Sequence, residues 1–204
     1  MEFNVGTLIQ NAFQRGIKYF VPVFLNSIFW ILTIWIPYLN VGTTIGLMVG
    51  VVAKMSRDEE VSITEIFDAK YRKNMGEFFL VIGLVNAGVM VGFMFMFVPA
   101  TVIALAWMLA PLFVVDKDMN PIEAIKKSND VTYGKKWLIF FAYVAVWILI
   151  TIAFFVIYKI AGVLAGIPVI GGLLKLILLI AASGSATCIY MATTASIYGE
   201  LSKK

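Results

Sequence analysis

The sequence predicts an all-α integral membrane protein with six transmembrane helices, built as three pseudo-repeated units of an interfacial amphipathic helix followed by a transmembrane hairpin. Three observations carry this prediction. Of 204 residues, 61% are hydrophobic and 14% charged, against roughly 25% charged in an ordinary globular chain, and the mean hydropathy is +0.94. The apolar residues gather in runs able to cross a hydrocarbon core about 30 Å thick, which takes roughly 20 helical residues. Finally, all but two of the 16 basic residues fall in segments that alternate regularly with those runs.

Taken in order, the apolar runs cover residues 19–39, 41–53, 78–98, 101–115, 137–158 and 168–200. The first two meet at a turn-like stretch containing Pro37, Asn40 and Gly42, and Pro99 starts the turn between the third and fourth. The second run is short, so it must borrow length from its flanks, thin the bilayer or fail to cross it. The sixth, beginning near Pro168, is longer than the bilayer is thick and predicts a helix end that protrudes into water. The first run is too long for the apolar region of a cleavable leader and lacks a small-x-small cleavage site, so it is expected to remain as a span.

Arg15, Lys18, Lys54, Arg57, Lys70, Arg72, Lys73, Lys117, Lys126, Lys127, Lys135, Lys136, Lys203 and Lys204 lie at the termini and in the two longer loops. The positive-inside rule then makes both termini cytoplasmic, in the inner (plasma) membrane. Lys159 and Lys175 fall on the other side, where snorkelling to the interface accounts for them. All twelve carboxylates fall on the cytoplasmic side, which leaves none at the bilayer midplane to relay protons.

An internal offset of 58 relates Asp58 to Asp116, Ser62 to Asn120, Glu65 to Glu123, Gly76 to Gly134 and Phe79 to Trp137. Ser62 with Glu65, and Asn120-Pro121 with Glu123, have capping-box spacing and predict a short helix in each loop. In the first loop Ile63, Ile66, Phe67 and Tyr71 would share a face lying among lipid headgroups. A fainter copy precedes the first span, with Leu8, Ile9, Ala12, Phe13 and Ile17 as its apolar face. Gly16, Gly76 and Gly134 are the junctions at which each unit turns into the membrane, because glycine accepts the positive φ of a helix C-terminus. The units cover approximately residues 1–57, 58–115 and 116–204 of a single membrane domain.

Asp116, the run Ala124-Ile125-Lys126-Lys127-Ser128 and Gly134-Lys135-Lys136-Trp137 resemble the signature of bacterial multi-spanning proteins related to the membrane domain of glycerophosphoryl diester phosphodiesterases. The closest correspondence covers about 25 residues. Lys135-Lys136 replaces the usual polar-aromatic pair, and the first unit is weak. The resemblance implies the six-span architecture. It does not bring phosphodiesterase activity, whose catalytic domain is absent here and uses histidines that this chain lacks.

The chemistry-bearing residues are few. The chain has no histidine and one cysteine, Cys188, which excludes an internal disulfide and removes the commonest general base. No nucleotide-binding loop, metal-ligand spacing or nucleophile elbow occurs, so neither an enzyme nor a cofactor is expected. Asn26 and Asn86 each stand ten residues after a junction glycine. With Ser183, Thr187 and Thr194 they either line a polar path or hold helices together. Gly42, Gly46 and Gly50, with Gly88 and Gly92, form small-residue tracks suited to helix packing or pore lining. Phe93, Met94, Phe95, Met96 and Phe97 sit near the outer end of the third span, as lipid-facing surface or as an adaptable site for acyl chains. Lys126, Lys127, Lys135 and Lys136 are expected to contact anionic lipid. The function expected is non-enzymatic handling of a lipid, amphiphile or small solute through the bundle, as in transport. The alternative is a scaffold acting through oligomerisation and a cytoplasmic collar. Membrane lipids are the expected partners, with self-association an option and no nucleic acid.

Overall fold

The computed structural model describes residues 4–167 and 170–203, so Pro168 lies outside the described residues. Among these the chain is helical and contains no strand. The helices are α1 (Val5–Lys18), α2 (Phe20–Thr33), α3 (Pro37–Ser56), α4 (Lys70–Lys73), α5 (Met75–Met94), α6 (Phe97–Asp116), α7 (Pro121–Thr132), α8 (Lys136–Leu164) and α9 (Gly171–Leu201). Five of them, α3, α5, α6, α8 and α9, are long and apolar enough to cross a membrane. The α1–α2 pair, bent by 71°, raises the number to six if it counts as one span.

The first two spans differ from the sequence expectation for one reason, Pro37. It does not lie in a turn but occupies the first turn of α3, where its missing N–H costs nothing. Ile36 before it is driven to an extended conformation, with φ −116° and ψ 92°. The chain therefore reverses at residues 34–36, earlier than expected. This leaves α2 with 14 residues, about 21 Å at ~1.5 Å each, and gives α3 a full 20. Likewise Pro99 lies inside the first turn of α6, and the hairpin turn falls at Phe95 and Met96, the latter at φ +91°. Helices α8 and α9, with 29 and 31 residues, exceed the bilayer core by more than 10 Å each at ~1.5 Å per residue. Lys159 and Lys175 are helical, and their ammonium groups sit 5.3 Å and 5.7 Å from the ring centroids of Phe155 and Tyr158.

The core lies at the charged end of the bundle. From Met191 onward α9 is almost wholly buried, against α1, the end of α3 and α8, with the Phe113 ring of α6 5.3 Å from that of Tyr198. Gly16 belongs to this packing and is not a junction. A Cβ there would meet Ile189, and its carbonyl accepts from Cys188 Sγ at 3.1 Å. The bend between α1 and α2 falls instead at Tyr19. Gly76 is also no junction, since it lies in the first turn of α5, which starts after Asn74. Gly134 alone of the three has a positive φ, +74°.

The helices expected at the interface differ as well. Asn120 caps α7 as expected, accepting from the Ile122 N–H at 3.0 Å, and α7 buries Pro121, Ala124, Ser128 and Thr132. In α1 the face that packs is Leu8, Ala12 and Gly16, whereas Ile17 is exposed. No helix begins at Ser62: the first loop contains only a 3-10 turn, Glu65–Phe67, followed by α4. Ile63 is exposed, while Ile66 and Tyr71 are buried.

Gly134→Ala should lower stability by about 1 kcal/mol, the penalty of a Cβ in the left-handed region. Gly76→Ala should be neutral or stabilising, because alanine is the better helix former. Detergent-resistant unfolding temperatures of the two variants check this asymmetry.

Candidate functional site

Between α3 and α5 most of the segment is exposed, but Glu65, Ile66 and Tyr71 pack into the bundle. Glycines make the room. A Cβ at Gly42 would strike the Arg72 side chain, one at Gly46 the Ile66 backbone and Tyr71 ring, and one at Gly50 the Tyr71 ring. The predicted small-residue track on α3 therefore packs against a loop of its own chain. Residues 46–51 are also π-helical, a widened turn where the loop approaches. Gly88 and Gly92 serve ordinary helix packing, facing Trp107 and the Ala100 backbone within the α5–α6 hairpin.

Asn26 pins the loop. Its side chain is fully buried and makes three hydrogen bonds. Nδ2 donates to the carbonyls of Pro22 at 2.8 Å and Ser62 at 2.7 Å, and Oδ1 accepts from the Ile66 N–H at 3.1 Å. Both Nδ2 hydrogens are therefore used, and the buried amide faces the loop backbone. Asn86 is not its counterpart, since it is exposed on α5. Ser183 and Thr187 donate to their own helix at Ile180 and Ser183, and Thr194 to Tyr190 while pairing with the Tyr143 hydroxyl at 2.7 Å. This stripe is satisfied within the helices.

Glu65, expected to cap a helix, is the electrostatic centre of the loop. Its side chain is 5% exposed and receives Lys54 Nζ at 2.7 Å, Lys70 Nζ at 3.1 Å and the Tyr71 hydroxyl at 2.7 Å. Burial alone would raise its pKa. The hydrogen bonds from Lys54, Tyr71 and Lys70 outweigh that and hold it below the usual carboxylate value. The Tyr71 phenol is pushed upward by burial and by the Glu65 charge. Further ion pairs continue the cluster: Arg15 holds Asp58 at 2.9 Å, and Arg57 bridges Glu59 and Asp116 at 2.6 Å each. The Tyr198 hydroxyl donates to Asp116 at 2.8 Å. Hydrogen bonding and charge from Arg15 lower the Asp58 pKa. Among the described residues no three His, Cys, Asp or Glu side chains group in a way that could hold a metal ion.

A second feature lies between α6 and α8. Two apolar cavities, of about 270 Å³ and 430 Å³, lie side by side in a groove there and share Leu105 and Phe140 as lining residues. One end is lined by Phe97, Tyr133, Gly134, Lys136 and Trp137, and the other by Tyr143, Trp147, Ile150 and Tyr190. The sequence places Phe97 at the outer membrane face and Lys136 at the cytoplasmic one, yet both line a single cavity. The interruption of α6 accompanies this geometry. Ser128 of α7 inserts its hydroxyl there, donating to Ala106 O at 2.7 Å and accepting from Leu109 N–H at 3.2 Å. Thr132 adds a bond to the same carbonyl at 3.4 Å. Lys136 is anchored to Asn129 Oδ1 at 3.1 Å, and Lys126 is exposed on α7.

Sequence reasoning missed Glu65 as a charge centre, Ser128 as a helix breaker and the groove itself. Ser128 carried a signal, a hydroxyl among the buried positions of α7, whereas Glu65 lies in a 3-10 turn and carried only its capping-box spacing. The groove carried none, because it arises from the packing of segments far apart in sequence. The chain matches no protein-family model, no curated protein and no solved structure.

Asn26→Leu should destabilise the fold by about 2–3 kcal/mol, since it deletes three hydrogen bonds and strands the Ile66 N–H. Because the Glu65 pKa is lowered in the folded state, its stabilisation is complete above the ordinary glutamate pKa and is lost as pH falls below it. Unfolding followed from pH 7 into the acid range should show this loss, and Glu65→Gln should flatten it.

Proposed function

We propose that the protein is a non-enzymatic membrane protein that handles an anionic amphiphile, holding the chain in the α6–α8 groove and the headgroup at a basic rim. The observation that carries this reading is the adjacency of the two apolar cavities, which meet at Leu105 and Phe140 and reach from Lys136 and Trp137 to Ile150. An aliphatic chain fits an apolar, aromatic-lined slot between helices, where it replaces lipid contacts at little cost. The rim has the matching charge, with Lys136 at the mouth, Lys135 beside it, and Lys126 and Lys127 on the helix leading in. Each basic residue near a membrane surface attracts an anionic headgroup by about 1 kcal/mol. Trp137 at the same end suits headgroup depth.

The bundle interior supports this lateral route better than an axial one. Asn26 is occupied by the loop backbone and the α9 hydroxyls of Ser183 and Thr187 by their own helix, and the α3 glycines are covered by the loop. The amphiphile would then move along the α6–α8 seam, from the bilayer, without an aqueous pore.

Native mass spectrometry from nanodiscs containing phosphatidylglycerol and phosphatidylcholine tests the reading. Retention of phosphatidylglycerol is expected. Lys135→Gln with Lys136→Gln should weaken it about thirty-fold at ~1 kcal/mol per residue, and Ala104→Trp, which fills the groove, should abolish it. A lipid-free assembly of several copies, or retention indifferent to both changes, would contradict the proposal and favour a scaffold.

A further inference from the structure

The ion-pair cluster around Glu65 does not close on itself. Between α3, α4 and the end of α6 it leaves a cleft of about 270 Å³, more than ten times the ~15 Å³ that admits one water. The cleft has two chemically different walls. Lys70 and Lys73 come from α4, with Lys54 from α3 beside them, and Asp116 and Asp118 come from the end of α6 and the residues after it. Arg57 also lines the cleft, bonded to Asp116 and to Glu59 at 2.6 Å each.

We infer that this cleft binds a small zwitterion that carries a phosphate and an amine, the phosphate on the lysine wall and the amine on the aspartate wall. The lysine wall is preorganised. Glu65 lies behind it, 5% exposed, and fixes Lys54 and Lys70 through one carboxylate oxygen each. Lys70 also holds Asp68 at 2.9 Å, so of the three N–H donors each ammonium carries, Lys70 keeps one and Lys54 two for a ligand. Lys73 is the movable member: its side chain is 75% exposed, and it is 4.0 Å from Asp118. A phosphate oxygen would replace that long contact with a direct charge-assisted bond. Asp118, released from Lys73, would accept from the ligand amine while it retains its 2.6 Å bond from Asn74. A simple anion satisfies only half of this surface, since it would face two carboxylates, and a simple cation would face four basic groups. The site shares no lining residue with the α6–α8 groove, so the inference stands independently of the proposed function.

Isothermal titration of the full-length protein in phosphatidylcholine nanodiscs, with O-phosphoethanolamine as probe and inorganic phosphate as comparison, tests the site. Saturable binding of phosphoethanolamine, at least tenfold tighter than phosphate, is expected. Lys73→Glu should weaken it more than tenfold, and Asp118→Asn should erase the preference for the amine-bearing probe. Lys18→Glu, an equal charge change on α1, should leave both intact. Phosphatidylethanolamine added to the nanodisc distinguishes the source. If it displaces the soluble probe, the natural occupant is a lipid headgroup, and if it does not, the occupant is a free solute; either result upholds the chemistry. Absence of saturable binding in the wild type, or equal weakening by Lys73→Glu and Lys18→Glu, would overturn it.

Discussion

The structure depends on the burial of a polar loop against a face of α3 that has no side chains. Gly46 and Gly50 remove the bulk that would keep Ile66 and Tyr71 out, and Asn26 supplies the donors and acceptor that a buried backbone requires. These two features need each other. The glycine face without the amide would leave the Ile66 N–H and Ser62 carbonyl unsatisfied in an apolar setting, and the amide without the glycines would have no loop to hold. Glu65 enters with the loop, and its burial is compensated by two lysines and a phenol.

From this insertion the rest of the charged end follows. Lys54 and Lys70 are held from within by Glu65. Arg57, Asp116 and Tyr198 tie α3, α6 and α9 together, and Arg15 joins α1 to the loop through Asp58. The bundle is thus tightly packed at one end, while the long helices α8 and α9 and the α5–α6 hairpin present exposed apolar surface elsewhere, including Trp147, Val163, Met94 and Met96. A rigid polar base with exposed apolar hairpins is the arrangement expected where the solvent at one end is water and along the hairpins is hydrocarbon.

Much of this was legible in the sequence, and the failures have physical causes. Composition and charge spacing foretold an all-helical chain with six membrane-length segments, of which the structure has five, or six if the α1–α2 pair counts as one, and Asn120-Pro121 foretold the start of α7, because these signals are local. Gly134 was legible for the same reason. Pro37 was misread because a proline signals both a turn and a helix start, and only its neighbours' packing decides. Ser62 and Glu65 have the spacing of a capping box, but the carboxylate gains more from Lys54, Lys70 and Tyr71 than from a backbone N–H. Asn26 and Asn86 look equivalent in sequence and differ in fact, since a side chain's partner can be 40 residues away, as Ile66 is from Asn26. The α6–α8 groove and the basic cleft have no sequence signature, because each is a gap between distant elements.

The most direct test of the account is hydrogen–deuterium exchange at the Ile66 amide in the membrane-embedded protein. If the loop is inserted and held by Asn26, that amide should exchange as slowly as those in the buried part of α9, and far more slowly than the amides of residues 59–61. Exchange of Ile66 at the rate of those neighbours would show that the loop lies in solvent, and would contradict the architecture on which the cleft and its charges are built.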